Sequence, residues 1–182
     1  LSLVITAFVG LVMGLINGFI VTRFNVHSII VTLGTLSLYR GLVFIVSGGR
    51  QIDRNDIPEH VVAFSQTSFL FSIPAILIFS AVIVIITHLV MRHSVLGREI
   101  YATGSNPIAA HLKGINVTKV TLFCFGVCGM LAGVAGLFYA SRFGYVNPGV
   151  TGVGIEFIVI AGVIIGGTSI TGGSGSVLGT FL

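Results

Sequence analysis

Uncharged stretches long enough to cross a bilayer constrain this chain more than any other feature. Residues 1–22, LSLVITAFVGLVMGLINGFIVT, carry no formal charge, and neither do residues 61–91 or 120–141. Residues 24–49 are broken only by Arg40. A helix needs about 20 apolar residues to span the hydrocarbon core, so each of these runs suffices. Only 8% of the residues are charged, against roughly a quarter in a soluble domain, and a water-soluble fold is excluded. The expected class is an all-α, polytopic membrane protein with about five to six membrane segments. It is expected to form a single transmembrane domain over residues 1–182, with a polar loop at 92–119. The 24–49 run reads equally as a full crossing or as a broken, re-entrant helix.

The net charge of +4 is scattered between the apolar runs, without a block of like charge. Such a pattern fits a membrane topology and argues against a nucleic-acid partner. Arg50 and Arg54 stand against Asp53, Asp56 and Glu59, which leaves residues 50–59 at −1. Arg92, Arg98, Lys113 and Lys119 stand against Glu99, which leaves residues 92–119 at +3. If four runs each cross once, Arg23 and the 92–119 loop share one side of the membrane. The acidic loop and residues 142–155 share the other. The more basic side is expected to be the cytoplasm.

Small residues mark places where helices approach closely. Gly10, Gly14 and Gly18 recur every four residues on one face of the first span, as do Gly162 with Gly166 and Gly175 with Gly179. The tail IVIAGVIIGGTSITGGSGSVLGT therefore reads as close helix packing or a broken helix. Its GTSITGGS has the spacing of a phosphate loop, but Gly173 stands where the lysine is required, so nucleotide binding is excluded. Ser72 and Pro74 mark the start of a span running to Met91. Cys124 and Cys128 share a helix face and read as packing residues. The five histidines are dispersed, no metal-ligand spacing or catalytic set stands out, and no cofactor or enzymatic activity is expected.

A second polar feature lies within the loop, where SNPIAAHLKG has the punctuation of a miniature helix. Ser105 or Asn106 serves as N-cap, Pro107 fits the first helical position and Gly114 the residue beyond the end. Lys113 sits in the last turn, where the helix dipole favours a cation. Two turns are too few to be stable alone in water, so the helix must dock on its own protein or on a partner.

Three polar residues in apolar surroundings are candidates for a solute pathway. Arg40 would cost about 2.5–3.5 kcal/mol near mid-membrane and needs a partner or an interface. Glu156 stands at the start of a span, and either pairs with Arg40 or reaches an interface. Asn17 is expected to hydrogen-bond a neighbouring helix, with a sugar-lining role as the alternative.

GREIYATGSNPIAAHLKGI, residues 97–115, resembles the cytoplasmic loop of ribose-type ABC-transporter permeases. Their pattern is matched by Gly97, Arg98, Tyr101, Ala102, Gly104, Asn106, Ala109, Ala110, Gly114 and Ile115. Gly166, Gly167, Ser169, Gly172, Gly173 and Gly175 match a second family segment. TLGTLSLYRGL, residues 32–42, is similar to a third. The resemblance implies a fragment of such a permease without its N-terminal and C-terminal helices. It implies a multi-pass protein of the bacterial inner membrane that imports a sugar or sugar-like solute of the ribose, rhamnose or autoinducer-2 class. The implied partners are a cytosolic ATP-binding subunit, a periplasmic solute-binding protein and a second permease subunit. The implied role of Gly97, Arg98, Tyr101, Gly104, Asn106, Pro107 and Gly114 is coupling to the ATPase. An ion-gradient-driven transporter is the alternative, although such proteins usually carry coupling carboxylates in their spans, where this chain offers only Glu156.

Overall fold

In the computed structural model, which describes residues 1–53, 68–69 and 73–181, helices occupy most of the described length of the apolar runs. They are α1 (Ser2–Phe24), α2 (Ser28–Ser47), α3 (Ala75–His93), α4 (Val95–Ser105), α5 (Pro107–Leu112), α6 (Val117–Phe143), α7 (Ile155–Ile165) and α8 (Val177–Phe181). Ser68–Phe69 and Ile73–Pro74 add a two-residue antiparallel ladder. Four of the helices are long and apolar enough to cross a membrane, and α7 is a shorter apolar helix. The chain is a polytopic helical membrane protein.

The 24–49 run, open between a crossing and a re-entrant path, is one continuous helix over Ser28–Ser47. At 1.5 Å per residue its 20 residues reach about 30 Å, the thickness of the hydrocarbon core. Helix α3 begins at Ala75, directly after Pro74, and runs past Met91 to His93. Ser72 and the charged residues Arg54, Asp56 and Glu59 lie outside the described residues.

Outward-facing apolar side chains are the rule: Val46 is 87% exposed and Ile165 86%. Lipid tails satisfy such surfaces, whereas water would not.

The chain divides into two compact units, Leu1–Ile76 with Leu122–Thr151, and Leu77–Thr121 with Gly152–Leu182. In the first, α1 runs antiparallel to α6. Gly10, Gly14 and Gly18 are all buried, as their spacing predicts. A Cβ on Gly129 would lie 2.8 Å from Gly14 Cα, and one on Gly10 would lie 3.1 Å from Gly133 Cα. The backbones touch there, so dispersion and Cα–H contacts between them replace side-chain packing. The antiparallel pairing also puts Arg23, at the end of α1, at the same end as the start of α6.

At the other end of this unit, the chain after α6 is pinned to the chain after α2. Ile52 and Val146 exchange backbone hydrogen bonds of 3.0 Å each way. Asn147 Nδ2 donates to Gln51 Oε1 at 3.3 Å, and Asn147 Oδ1 accepts from Gly149 N.

Candidate functional site

The polar loop of the second unit is almost wholly helical. Ser94 caps α4, its Oγ accepting from Gly97 N at 3.0 Å. Gly97 is buried against the backbone of Met91, so the turn between α3 and α4 leaves no space for a side chain. The sequence reading placed a helix only over the second half of the loop. GREIYATGS is helical as well, because Ser94 supplies an N-cap and no proline interrupts before Pro107.

Asn106 is the joint. Its extended backbone (φ −157°, ψ 100°) ends α4, while its Oδ1 accepts from Ala109 N at 3.0 Å and starts α5. Of the two cap candidates, Asn106 rather than Ser105 takes the position, because Pro107 disfavours helical backbone in the residue before it. Gly114 closes α5 with φ +83°. Its N–H donates to His111 O at 2.9 Å, and Ile115 N donates to Ala110 O at 3.1 Å. That pairing satisfies the orphan carbonyls of a helix end and requires the left-handed backbone glycine adopts freely.

Helix α5 has two unlike faces. Ala110 is 2% exposed, while Ile108 and Leu112, one turn apart, are 76% and 82% exposed. These two apolar side chains lie in the loop between candidate spans, on the face of α5 that the described residues leave open.

Two of the three sequence motifs meet in this unit. Tyr101 Oη donates to Gly175 O at 3.0 Å across 74 residues of sequence. A Cβ on Gly104 would stand 2.6 Å from Gly173 N, and one on Gly172 2.8 Å from Gly104 O. Ser105 Oγ donates to Gly173 O at 3.5 Å. The glycine-rich tail is a broken helix: α7 stops at Ile165, residues 166–176 turn back, and α8 begins at Val177. Gly166 and Gly179 sit backbone to backbone at the break, while Gly162 faces open space. Between α4 and this loop lies an open cavity of about 510 Å³, bordered by Met91, Tyr101, Gly104, Thr168 and Phe181. Arg98 takes no part in this contact.

The pathway candidates separate. Arg40 and Asn17 belong to the first unit, Glu156 to the second. Asn17 does reach a neighbouring helix: Tyr39 Oη donates to Asn17 Oδ1 at 3.4 Å and to Met13 O at 3.3 Å. Asn17 also borders a cavity of about 720 Å³ among α1, α2 and α6. Arg40 borders a smaller cavity of about 250 Å³ beside Asn147 and Thr151. Glu156 lies in the first turn of α7, where the helix dipole favours an acid. Tyr39, which the sequence reading passed over, borders both of these cavities. It sits at an unspecified position of its motif, directly before Arg40, and only an aromatic hydroxyl within a span marked it.

Compared with known proteins, residues 1–182 match the family described as branched-chain amino acid transport system / permease component. The autoinducer 2 import system permease protein LsrC of Yersinia enterocolitica is 36% identical over 182 residues, which is 100% of this chain and 49% of that protein. LsrC proteins of Yersinia pseudotuberculosis and Yersinia pestis are each 36% identical over 174 residues, 96% of this chain and 48% of the relative. The chain thus spans about half the length of the curated relatives it matches. No solved structure gives a significant match.

Proposed function

The chain belongs to the branched-chain amino acid transport system / permease component family, as its resemblance to ribose-type permeases implied, and from that membership we propose that it is the membrane pathway of a bacterial ABC importer. The solute is a sugar or sugar-like molecule, and the site is the inner membrane. The family description is broader than any one solute. Similarity to permeases named for autoinducer 2 import, over 96% of the chain, favours the sugar-like class over amino acids. The permease performs no chemistry itself. A cytosolic ATP-binding subunit hydrolyses ATP, a periplasmic solute-binding protein delivers the solute, and a second permease subunit completes the pathway with residues 1–182 acting as one domain.

The coupling element is the α4–α5 segment, with Gly97, Arg98, Tyr101, Gly104, Asn106, Pro107 and Gly114 setting its shape and charge. The observation that carries this reading is the pair Ile108 and Leu112, exposed on a helix capped at both ends. An ATPase groove would cover them, as amphipathic helices are covered elsewhere. Two capped turns transmit displacement as a rigid piece, and the Tyr101 and Gly104 contacts hand it to the glycine-rich loop. Arg40 with Glu156 stays a proposed pair, lost if charge reversal at both positions fails to restore transport removed by either reversal alone.

Uptake by vesicles holding the full-length subunit and its partners tests the reading, with ribose, autoinducer 2 and valine compared. Uptake of a sugar-like solute that requires ATP and the ATPase is expected. Uptake driven by an ion gradient without the ATPase would sink the proposal. Arg98→Ala or Gly104→Val should leave the subunit inserted and ATP hydrolysis running while import falls, and normal import in both would reduce the segment to a plain loop.

A further inference from the structure

Two cavities of the first unit share a lining side chain, Tyr39. The larger, about 720 Å³, lies between α1, α2 and α6 and is walled mainly by apolar groups and glycine backbone. Its polar groups are few and neutral: the Asn17 amide, the Tyr39 hydroxyl, and the Thr6 and Thr32 hydroxyls. Thr6 and Thr32 donate to carbonyls of their own helices, which leaves their oxygen lone pairs free to accept. Asn17 Nδ2 has no partner among the described residues. The smaller cavity, about 250 Å³, lies at the end of the unit where residues 146–151 are held to residues 51–52. Arg40, Asn147 and Thr151 border it.

We propose that Tyr39 is a gating residue between an outer vestibule at Arg40 and a binding chamber at Asn17 for a small, neutral, polyhydroxylated solute. The inference rests on the transport reading above and deepens it. The size of the chamber suits such a ligand, and its lining has the expected form, apolar with a few convergent hydrogen-bonding groups. No carboxylate borders the chamber to match the ammonium of an amino acid, whereas free amide hydrogens and hydroxyl lone pairs match sugar hydroxyls. The latch on the gate is weak. Bonds of 3.3 and 3.4 Å are long for a hydroxyl donor, so the ring can leave Asn17 and Met13 with little lost. When it leaves, Asn17 Oδ1 is open to a solute hydroxyl, so unlatching and binding use the same acceptor.

Cys128 reports on the chamber, because its exposed thiol borders it. The experiment uses the full-length subunit in right-side-out vesicles with Cys128 as the sole cysteine, and a membrane-impermeant sulfonatoethyl thiosulfonate added outside. Slow labelling is expected in the parent. Tyr39→Ala should raise the rate at least about tenfold, within the range of ordinary conformational coupling. Tyr39→Phe, which keeps the ring and its packing, should raise it a few-fold by removing the latch alone. Ribose, as the polyhydroxylated probe, should slow labelling in the parent, and valine should not. Rates that are equal in the parent and both Tyr39 variants overturn the gate. Protection by valine and not by ribose overturns the solute class. Labelling needs neither ATP nor the ATPase, so a failed gate and a failed ABC mechanism give different results.

Discussion

The glycines of α1 and α6 and those of residues 166–176 solve opposite problems with the same residue. In the first region the glycines are helical and replace bulk. Gly10, Gly14, Gly129 and Gly133 let two spans meet backbone to backbone in a phase where apolar side chains gain nothing by meeting each other. In the second region the glycines break a helix. Gly167, Gly172 and Gly173 have φ of +84°, +88° and +79°, and the loop they form is clamped to α4 through Gly104 and Tyr101. The first contact holds the spans in place. The second joins a proposed moving part to the short apolar helix α7. A spacing of four residues occurs in both regions, and the left-handed backbone of Gly167, Gly172 and Gly173 marks the second.

Substitutions separate the two. Gly129→Val should have the largest effect, about 1–3 kcal/mol or more, because its Cβ would stand 2.8 Å from Gly14 Cα and neither backbone can yield. The thermal midpoint in detergent and the yield of folded protein read it, and a native midpoint would show that α1 and α6 are not held by this contact. Gly173→Ala is expected to cost about 1–2 kcal/mol, since a side chain is strained at φ +79°. Its signature is import lost out of proportion to stability, measured as solute imported per ATP hydrolysed. An equal loss in both would make the loop a structural element like the first. Tyr101→Phe removes one hydrogen bond, worth about 0.6 kcal/mol in a membrane protein, and should lower the same ratio modestly. Gly136→Ala sharpens the contrast most simply. It lies on α6 three residues beyond Gly133, but a Cβ there meets nothing within 4 Å. Its effect should be near zero or stabilising by up to about 1 kcal/mol, as for glycine to alanine in a helix. A clear loss of stability would mean that another surface covers that face.

The spans and the α5 caps were legible in advance because both are local. A run without charge must cross a membrane or leave it, whatever surrounds it. Asn106 and Gly114 act through bonds to residues three or four positions away, and Pro107 through its fixed φ. The helix over 95–105 is less legible, because Ser94 alone marks its start and its end coincides with the stronger start signal of Asn106 and Pro107. Tyr39 was missed for a different reason. Its partners, Met13 and Asn17, are 26 and 22 residues away, and nothing in TLGTLSLYRGL points toward them.

The sequence by itself determined that this is a multi-pass helical membrane protein and where a short capped helix interrupts the spans. Those properties follow from transfer free energies and local hydrogen bonds, which a chain carries wherever it folds. Only the tertiary structure decided that Gly104 meets Gly173, that Tyr101 reaches Gly175, and that Tyr39 borders two cavities, one shared with Asn17 and the other with Arg40. These are contacts between residues distant in sequence. In lipid, where apolar helices have no strong preference for one another's faces, shape and a few polar bonds select the contacts, and these exist only once the helices are side by side.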